Sequence, residues 1–521
     1  MSSAAELMER DAGAMVRRLF AKDAGLWGLD AATPELTNRM GWLGAPQRYA
    51  AAVPDLLALR QAVSSEGVER VVLLGMGGSS LAPEVFGRMF AAPAGTPPLT
   101  VVDTTHPDAV LAVLDDLNPA RTLFVVSSKS GGTIETSVLN DLCWARAGGQ
   151  GARFIAITDP GSGLATLAAA RGFRRCFEND PEIGGRYSAL SFFGLVPAAL
   201  AGVPVEAIVS GAERAATASA GAARAGDAAG VVGADLGAHL GAAWLNGRDK
   251  LTLRTSPAYG PFGVWMEQLV AESTGKHGKG IVPVVDEPVV ARAMGSDRVV
   301  VAMLEAGRGM DEVPGSVAHA ITGLGPLDLG REFYRWEVAT ALAGAWLQIN
   351  PFDQPNVAES KKNSEQALAE LGAGTAAEPA QGLSGLSAAL RGWLGAIKPG
   401  DYAAILAYVP ATRAHDGLLE AMRRHVLEKT GVATTAGYGP RFLHSTGQLH
   451  KGGPATGAFL QIETEPARDV DVPGRGFTLG RLIQAQALGD WRALVSRGRR
   501  VLRVRVKADE LPGVAAALNA A

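Results

Sequence analysis

The sequence predicts an α/β fold of parallel sheets with helices on both faces, and three observations carry that reading. Short apolar, partly β-branched runs recur from about residue 70, at 71–74, 99–102, 123–126 and 154–158. Each closes on a turn marked by glycine or aspartate, and a stretch with helical spacing, such as 134–145, follows. After residue 235 the same alternation starts again, so a second α/β series follows the first.

Taken in order, residues 1–65 form an N-terminal helical segment. Glu6, Glu9, Asp11, Arg17 and Arg18 interrupt its apolar residues, so it reads as a helix and not as a signal peptide. Residues 66–235 make the first α/β domain, ending in an Ala-Gly-rich stretch at 204–235 whose alanines favour helix. Residues 236–400 make the second, with strands at 250–255, 280–285 and 298–303 and a long amphipathic helix at 329–347. Residues 365–380 dissolve into Gly, Ala and Pro and read as a surface connection. Residues 401–521 form a C-terminal α/β unit with strands at 402–408, 459–462 and 501–506; whether it stands alone or completes the second domain stays open at this level.

Composition removes several functional classes. At 47% hydrophobic and 19% charged residues the chain is globular, and 521 residues suffice for two or three cores. A net charge of −3 without a basic, aromatic-laced block gives no support for nucleic-acid binding. No run nears the ~18 apolar residues that span a bilayer, so no membrane association is expected and a cytoplasmic location is the simplest. Cys143 and Cys176 lack metal or disulfide spacing and read as structural thiols. No His/Cys/Glu cluster has ligand spacing, and no metal is expected.

The chemistry concentrates in five segments. Ser127-Ser128-Lys129-Ser130-Gly131-Gly132-Thr133 joins a strand to a helix and reads as an anion cradle. Free backbone N–H groups and the helix dipole favour negative charge there; hydroxyls, Lys129 and glycines add donors, charge and close approach. Gly75-Met76-Gly77-Gly78-Ser79-Ser80 invites a dinucleotide reading but fails it. Ser80 replaces the third glycine, and Asp103 lies about 28 residues beyond Gly75 where ~20 is usual. A turn that admits a sugar, with Ser79 as donor, fits better. Gly184-Gly185-Arg186 pre-sets a guanidinium that can steady a developing anion. Gln268 and Glu272, four apart on one helical face near Gly275, offer an amide and a general base. Gln354 and Lys361, seven apart, can share a pocket, with Lys361 as acid or anion clamp.

In this order and spacing the five segments resemble the signature segments of the glucose-6-phosphate isomerase (phosphoglucose isomerase) family, over roughly residues 70–365. With Tyr438-Gly439-Pro440 and the segment from His444 to Gly453, they look most like the isomerase half of bifunctional transaldolase/phosphoglucose isomerase fusions. The resemblance implies two sugar-isomerase-type α/β domains, a homodimer, and cofactor-free interconversion of glucose 6-phosphate and fructose 6-phosphate. It implies that Ser128, Lys129, Ser130 and Thr133 bind phosphate and that Gly78 and Ser79 line the sugar. Glu272 would move the proton, Arg186 steady the enediolate, and Gln268 and Gln354 orient hydroxyls. Lys361 would help open the ring, with His450 as the ring-opening histidine, preferred over His444 and His319. The chain departs from the family where Asn356-Val357-Ala358 replaces Gly-Val-Glu and Glu359 falls one place late. Two alternatives accompany this expectation: a bifunctional phosphoglucose/phosphomannose isomerase, and a non-catalytic sugar-phosphate sensor.

Overall fold

A computed structural model describes residues 4–313, 316–375 and 378–521, without the side chains of 4–11, 312, 357, 358, 360 and 361. Its strands form three parallel sheets. The first holds β1 (Arg70–Leu74), β2 (Leu99–Val102), β3 (Thr122–Ser127), β4 (Phe154–Thr158) and β5 (Arg175–Glu178), in the order β2-β1-β3-β4-β5. The second holds β6 (Lys250–Thr255), β7 (Val282–Val284), β8 (Arg298–Glu305) and β9 (His319–Leu324), in the order β7-β6-β8-β9. The C-terminal strands β10 (Tyr402–Tyr408), β11 (Ala433–Tyr438), β12 (Gly457–Glu465) and β13 (Arg500–Lys507) make a sheet of their own, β11-β10-β12-β13, and do not extend the second.

In every sheet the first strand lies inside, its successor on one side and the third strand on the other. That reversal leaves a crevice at the strands' C-terminal ends, where ligands of open α/β sheets bind. In the first sheet Leu74 pairs with Val126, so the glycine turn after β1 and the cradle after β3 emerge side by side.

Apolar packing joins the sheets. The helix Leu329–Leu347 is buried along nearly its whole length, with Phe333 against Phe86 at 5.2 Å and Trp265 at 4.6 Å between ring centroids. One core runs from the N-terminal helices through the first and second sheets. Another joins Ala271, Val282 and Val284 to Tyr402, Leu406 and Phe459 of the third. The Ala-Gly-rich stretch is helical at Val205–Ala225, as alanine predicts.

Residues 365–372 depart from the expected surface connection, because the helix Val357–Gly372 runs through them. Ala367 is buried against Ala485 and Leu488 of the helix Leu479–Ser496. Gly489 lets the two helices close up: a Cβ there would meet the Ser364 nitrogen at 2.7 Å. Cys143 is buried and unbridged, as is the half-buried Cys176. Among the described residues no helix is long and apolar enough to cross a membrane.

Candidate active site

The first sheet's crevice deepens into a cavity of about 360 Å³ between all three units. At one end lie Lys129, Ser130 and Thr133 from the cradle; at the other lie Arg186, Gln268 and Glu272. Gly78 and Ser79 form part of the wall, and the exposed Gln354 closes the rim.

The cradle is local chemistry made solid. The Ser130 hydroxyl accepts from the Gly132 N–H at 3.2 Å. Gly131 has φ +69°, and a Cβ there would meet the Leu164 nitrogen at 2.5 Å, so glycine is required. Ser128 is buried outside the lining; its hydroxyl donates to Thr133 Oγ1 at 3.3 Å and braces the turn. Lys129 Nζ binds Asp159 Oδ2 at 2.5 Å and the Pro181 carbonyl at 2.9 Å. Burial lowers its pKa against the opposing pull of Asp159.

The catalytic end is more tightly built. Arg186 is 4% exposed and Glu272 5%, and Nη1 lies 3.2 Å from Oε1. Arg186 also donates to Ser273 Oγ at 2.9 Å and to the Pro351 and Asp353 carbonyls at 2.8 Å each. The guanidinium is therefore held by four partners in a fixed plane. Gln268 Nε2 donates to Glu272 Oε2 at 3.0 Å and to the His444 carbonyl at 2.8 Å. Gln268 and Glu272 share a face of the helix Phe262–Thr274, as their spacing predicts. Gly77, at φ +55°, permits the junction: a Cβ there would meet the His444 carbonyl oxygen at 2.6 Å.

The histidine expectation needs correcting. His450 is absent from the lining, and its ring lies 5.1 Å from Phe459 and 6.1 Å from Phe442 in the third sheet's core. Burial holds its pKa well below the usual imidazole value. The short helix Gly447–Gly452 turns His450 inward, whereas His444 ends the preceding turn and faces the cavity. Its Nε2 lies 2.9 Å from Glu135 Oε1. That oxygen also accepts from Gln486 Nε2 at 2.7 Å, and Gln486 accepts from Thr105 at 2.6 Å. Burial opposes charge on His444, but Glu135 outweighs it and raises the pKa. His319 lies elsewhere, beside His239 on the second sheet's edge. The Lys361 backbone belongs to the helix Val357–Gly372, but its side chain lies outside the described residues.

Sequence reasoning missed three further contributors. Arg39 and Glu35, paired at 2.7 Å, line the cavity from the N-terminal segment. Lys276, paired with Asp353 Oδ1 at 2.6 Å, braces the segment that carries Gln354; burial and Arg186 push its pKa down to about 8. Glu135 had a usable signal, a carboxylate two residues after Thr133 at the start of a buried helix.

A family model described as phosphoglucose isomerase matches residues 60–284. A glucose-6-phosphate isomerase from Rubrobacter xylanophilus is 30% identical over 414 residues, spanning 66% of this chain and 95% of that one. One from Symbiobacterium thermophilum is 28% identical over 403 residues, spanning 64% and 87%. Two solved structures share the fold. A hypothetical protein from Thermus thermophilus has a TM-score of 0.58 at 23% identity, covering 70% of this chain and 97% of that one. A glucose-6-phosphate isomerase from Chlamydia trachomatis has 0.50 at 18%, covering 68% and 78%.

Proposed function

This chain belongs to the phosphoglucose isomerase family, and from that footing we propose how its cavity divides the work of isomerising glucose 6-phosphate and fructose 6-phosphate. The reaction is an aldose–ketose isomerisation of a sugar phosphate. The observation that carries the assignment is the buried Arg186–Glu272–Gln268 cluster facing, across one small cavity, a hydroxyl- and lysine-bearing cradle.

Ser130, Thr133 and Lys129 hold the phosphate, with Ser128 bracing the turn; binding energy at this inert end positions C1 and C2. Glu272 takes the proton from C2, and the released electron pair forms the C1–C2 double bond of a cis-enediol. The same carboxylate returns the proton to C1, while the hydroxyl proton leaves O2 as its carbonyl forms. Arg186 steadies the oxygen that carries negative charge, and its carbonyl clamps keep it in place without reorganisation. Gln268 and Gln354 orient hydroxyls, Gly78 and Ser79 line the sugar, and Lys361 assists ring opening on the family resemblance. His444 replaces His450 as the acid at the ring oxygen, kept charged by Glu135. A homodimer in the cytoplasm, without a cofactor, completes the reading, and light scattering of the purified chain measures the oligomeric state.

Glu272→Gln is the decisive variant. It should retain the wild-type far-UV circular dichroism spectrum and lose about 10²–10⁴-fold in kcat for fructose 6-phosphate. Near wild-type turnover would remove Glu272 from the proton transfer. Mannose 6-phosphate supplied as sole substrate tests tolerance of the C2 epimer.

A further inference from the structure

The third sheet carries a crevice of its own, at the C-terminal ends of β10, β12 and β13. It encloses about 370 Å³, against about 360 Å³ for the active-site cavity. Strand order reverses between β10 and β12, and the crevice opens there. Tyr408 ends β10, Glu463 and Thr464 lie near the end of β12, and Arg505 belongs to β13. The phosphate cradle occupies the equivalent reversal of the first sheet, so the crevice sits where an open α/β sheet takes a ligand.

The charges around it leave a positive remainder. Glu463 is neutralised by Arg503, with Nε to Oε1 at 2.6 Å and Nη2 to Oε2 at 3.1 Å. Asp469 accepts from the Val470 and Gly480 N–H groups at 2.8 and 2.7 Å, at the N-terminus of the 18-residue helix Leu479–Ser496, whose dipole offsets it. Arg481, on that helix's first turn and part-exposed, has no ion-pair partner among the described residues. Arg505 has Glu465 at 3.6 Å, beyond hydrogen-bond distance. On the apolar side stands Tyr408, 1% exposed, whose Oη has no partner in hydrogen-bond geometry. Asp490, which adds to the burial that raises the phenol pKa, is itself taken up by Lys451 at 2.7 Å. Buried hydroxyls are seldom left that way, so the site wants a polar guest.

We infer that this crevice is a second ligand site, for a small phosphorylated polyol. The phosphate faces Arg481 and Arg505, and a ligand hydroxyl meets Tyr408 Oη. The crevice has a route to the active site as well. Gln486, on the same helix as Arg481, donates to Glu135, the partner of His444. On the catalytic reading given above, a ligand at the first turn of this helix therefore biases the histidine's support, and coupling between the sites is reciprocal.

Calorimetric titration with glycerol 3-phosphate tests the site independently of catalysis. The wild-type chain, Lys129→Ala, Tyr408→Phe and the double variant Arg481→Ala/Arg505→Ala are compared, each checked for its far-UV spectrum, with glycerol and inorganic phosphate as single-group probes. Lys129→Ala should still bind one equivalent. Arg481→Ala/Arg505→Ala, built on Lys129→Ala, should raise that Kd by about tenfold or more. Tyr408→Phe, which keeps the ring packing, should weaken it by a smaller factor, and glycerol alone should not bind. The site is overturned if Lys129→Ala binds no glycerol 3-phosphate up to roughly 10 mM. It is equally overturned if the two arginine substitutions leave the titration unchanged. Either failure leaves the active-site reading intact, because isomerase activity of Glu272→Gln decides that separately.

Discussion

His444 owes its acid–base character to one neighbour. Burial disfavours the imidazolium, but the Glu135 carboxylate at 2.9 Å reverses the balance and raises the pKa. The folded protein thus holds this proton more tightly than the unfolded chain. The pair stabilises the fold fully below the ordinary histidine pKa of about 6.5, and the contribution is lost as pH rises through the raised value. Glu135→Gln should lower the His444 pKa in an NMR titration of the ring protons and flatten the fall in urea-unfolding stability above pH ~6.5. It should also make turnover of the cyclic sugar fall away at lower pH than in the wild type. Lys276 works in the opposite sense. Its folded pKa of about 8 lies below that of an unfolded lysine, so its burial is a cost near neutrality that is relieved as pH climbs from there. The sequence offers two histidines six residues apart in one segment, and nothing local distinguishes the one facing Glu135 from the one enclosed by Phe442 and Phe459.

The strand, cradle and helix at 122–146 are legible because their signals are local. An apolar run, hydroxyls at the helix start and glycines at the bend all act within a few residues. The structure adds what the glycines are for. Gly131 sits at φ +69° with the Leu164 nitrogen in the way of any Cβ, so Gly131→Ala should destabilise by about 1–3 kcal/mol in urea unfolding and raise KM for the sugar phosphate. Gly77 serves a contact between units: Gly77→Ala should push the His444 carbonyl off Gln268 and lower kcat more than it changes the unfolding midpoint. The helix Val357–Gly372 escapes sequence reading past residue 364 for a physical reason. Its sequence is polar and small, and its buried side exists only because the helix Leu479–Ser496 packs onto it.

Across the whole molecule, three sheets repeat one strand order, and a buried charge joins the second to the third. Glu287, 3% exposed, accepts from Arg298 at 2.8 Å and from the Thr434 N–H at 2.8 Å in β11. Arg298→Ala strands that carboxylate and should cost about 3–5 kcal/mol, read as an earlier urea transition of the C-terminal sheet. This joint matters to function because the third unit brings His444 and Gln486 to a cavity whose cradle, arginine and carboxylate come from the other two. By itself the sequence determined the α/β class, the two glycine turns, the phosphate cradle, Arg186 and the Gln268–Glu272 face, since each is written in consecutive residues or in one helical repeat. Only the tertiary structure decided which histidine enters the site, what holds it charged, that Arg39 and Glu35 join the wall, and that residues 402–507 form a separate sheet. Those depend on contacts between segments hundreds of residues apart, and no spacing along a chain encodes which distant surfaces will meet.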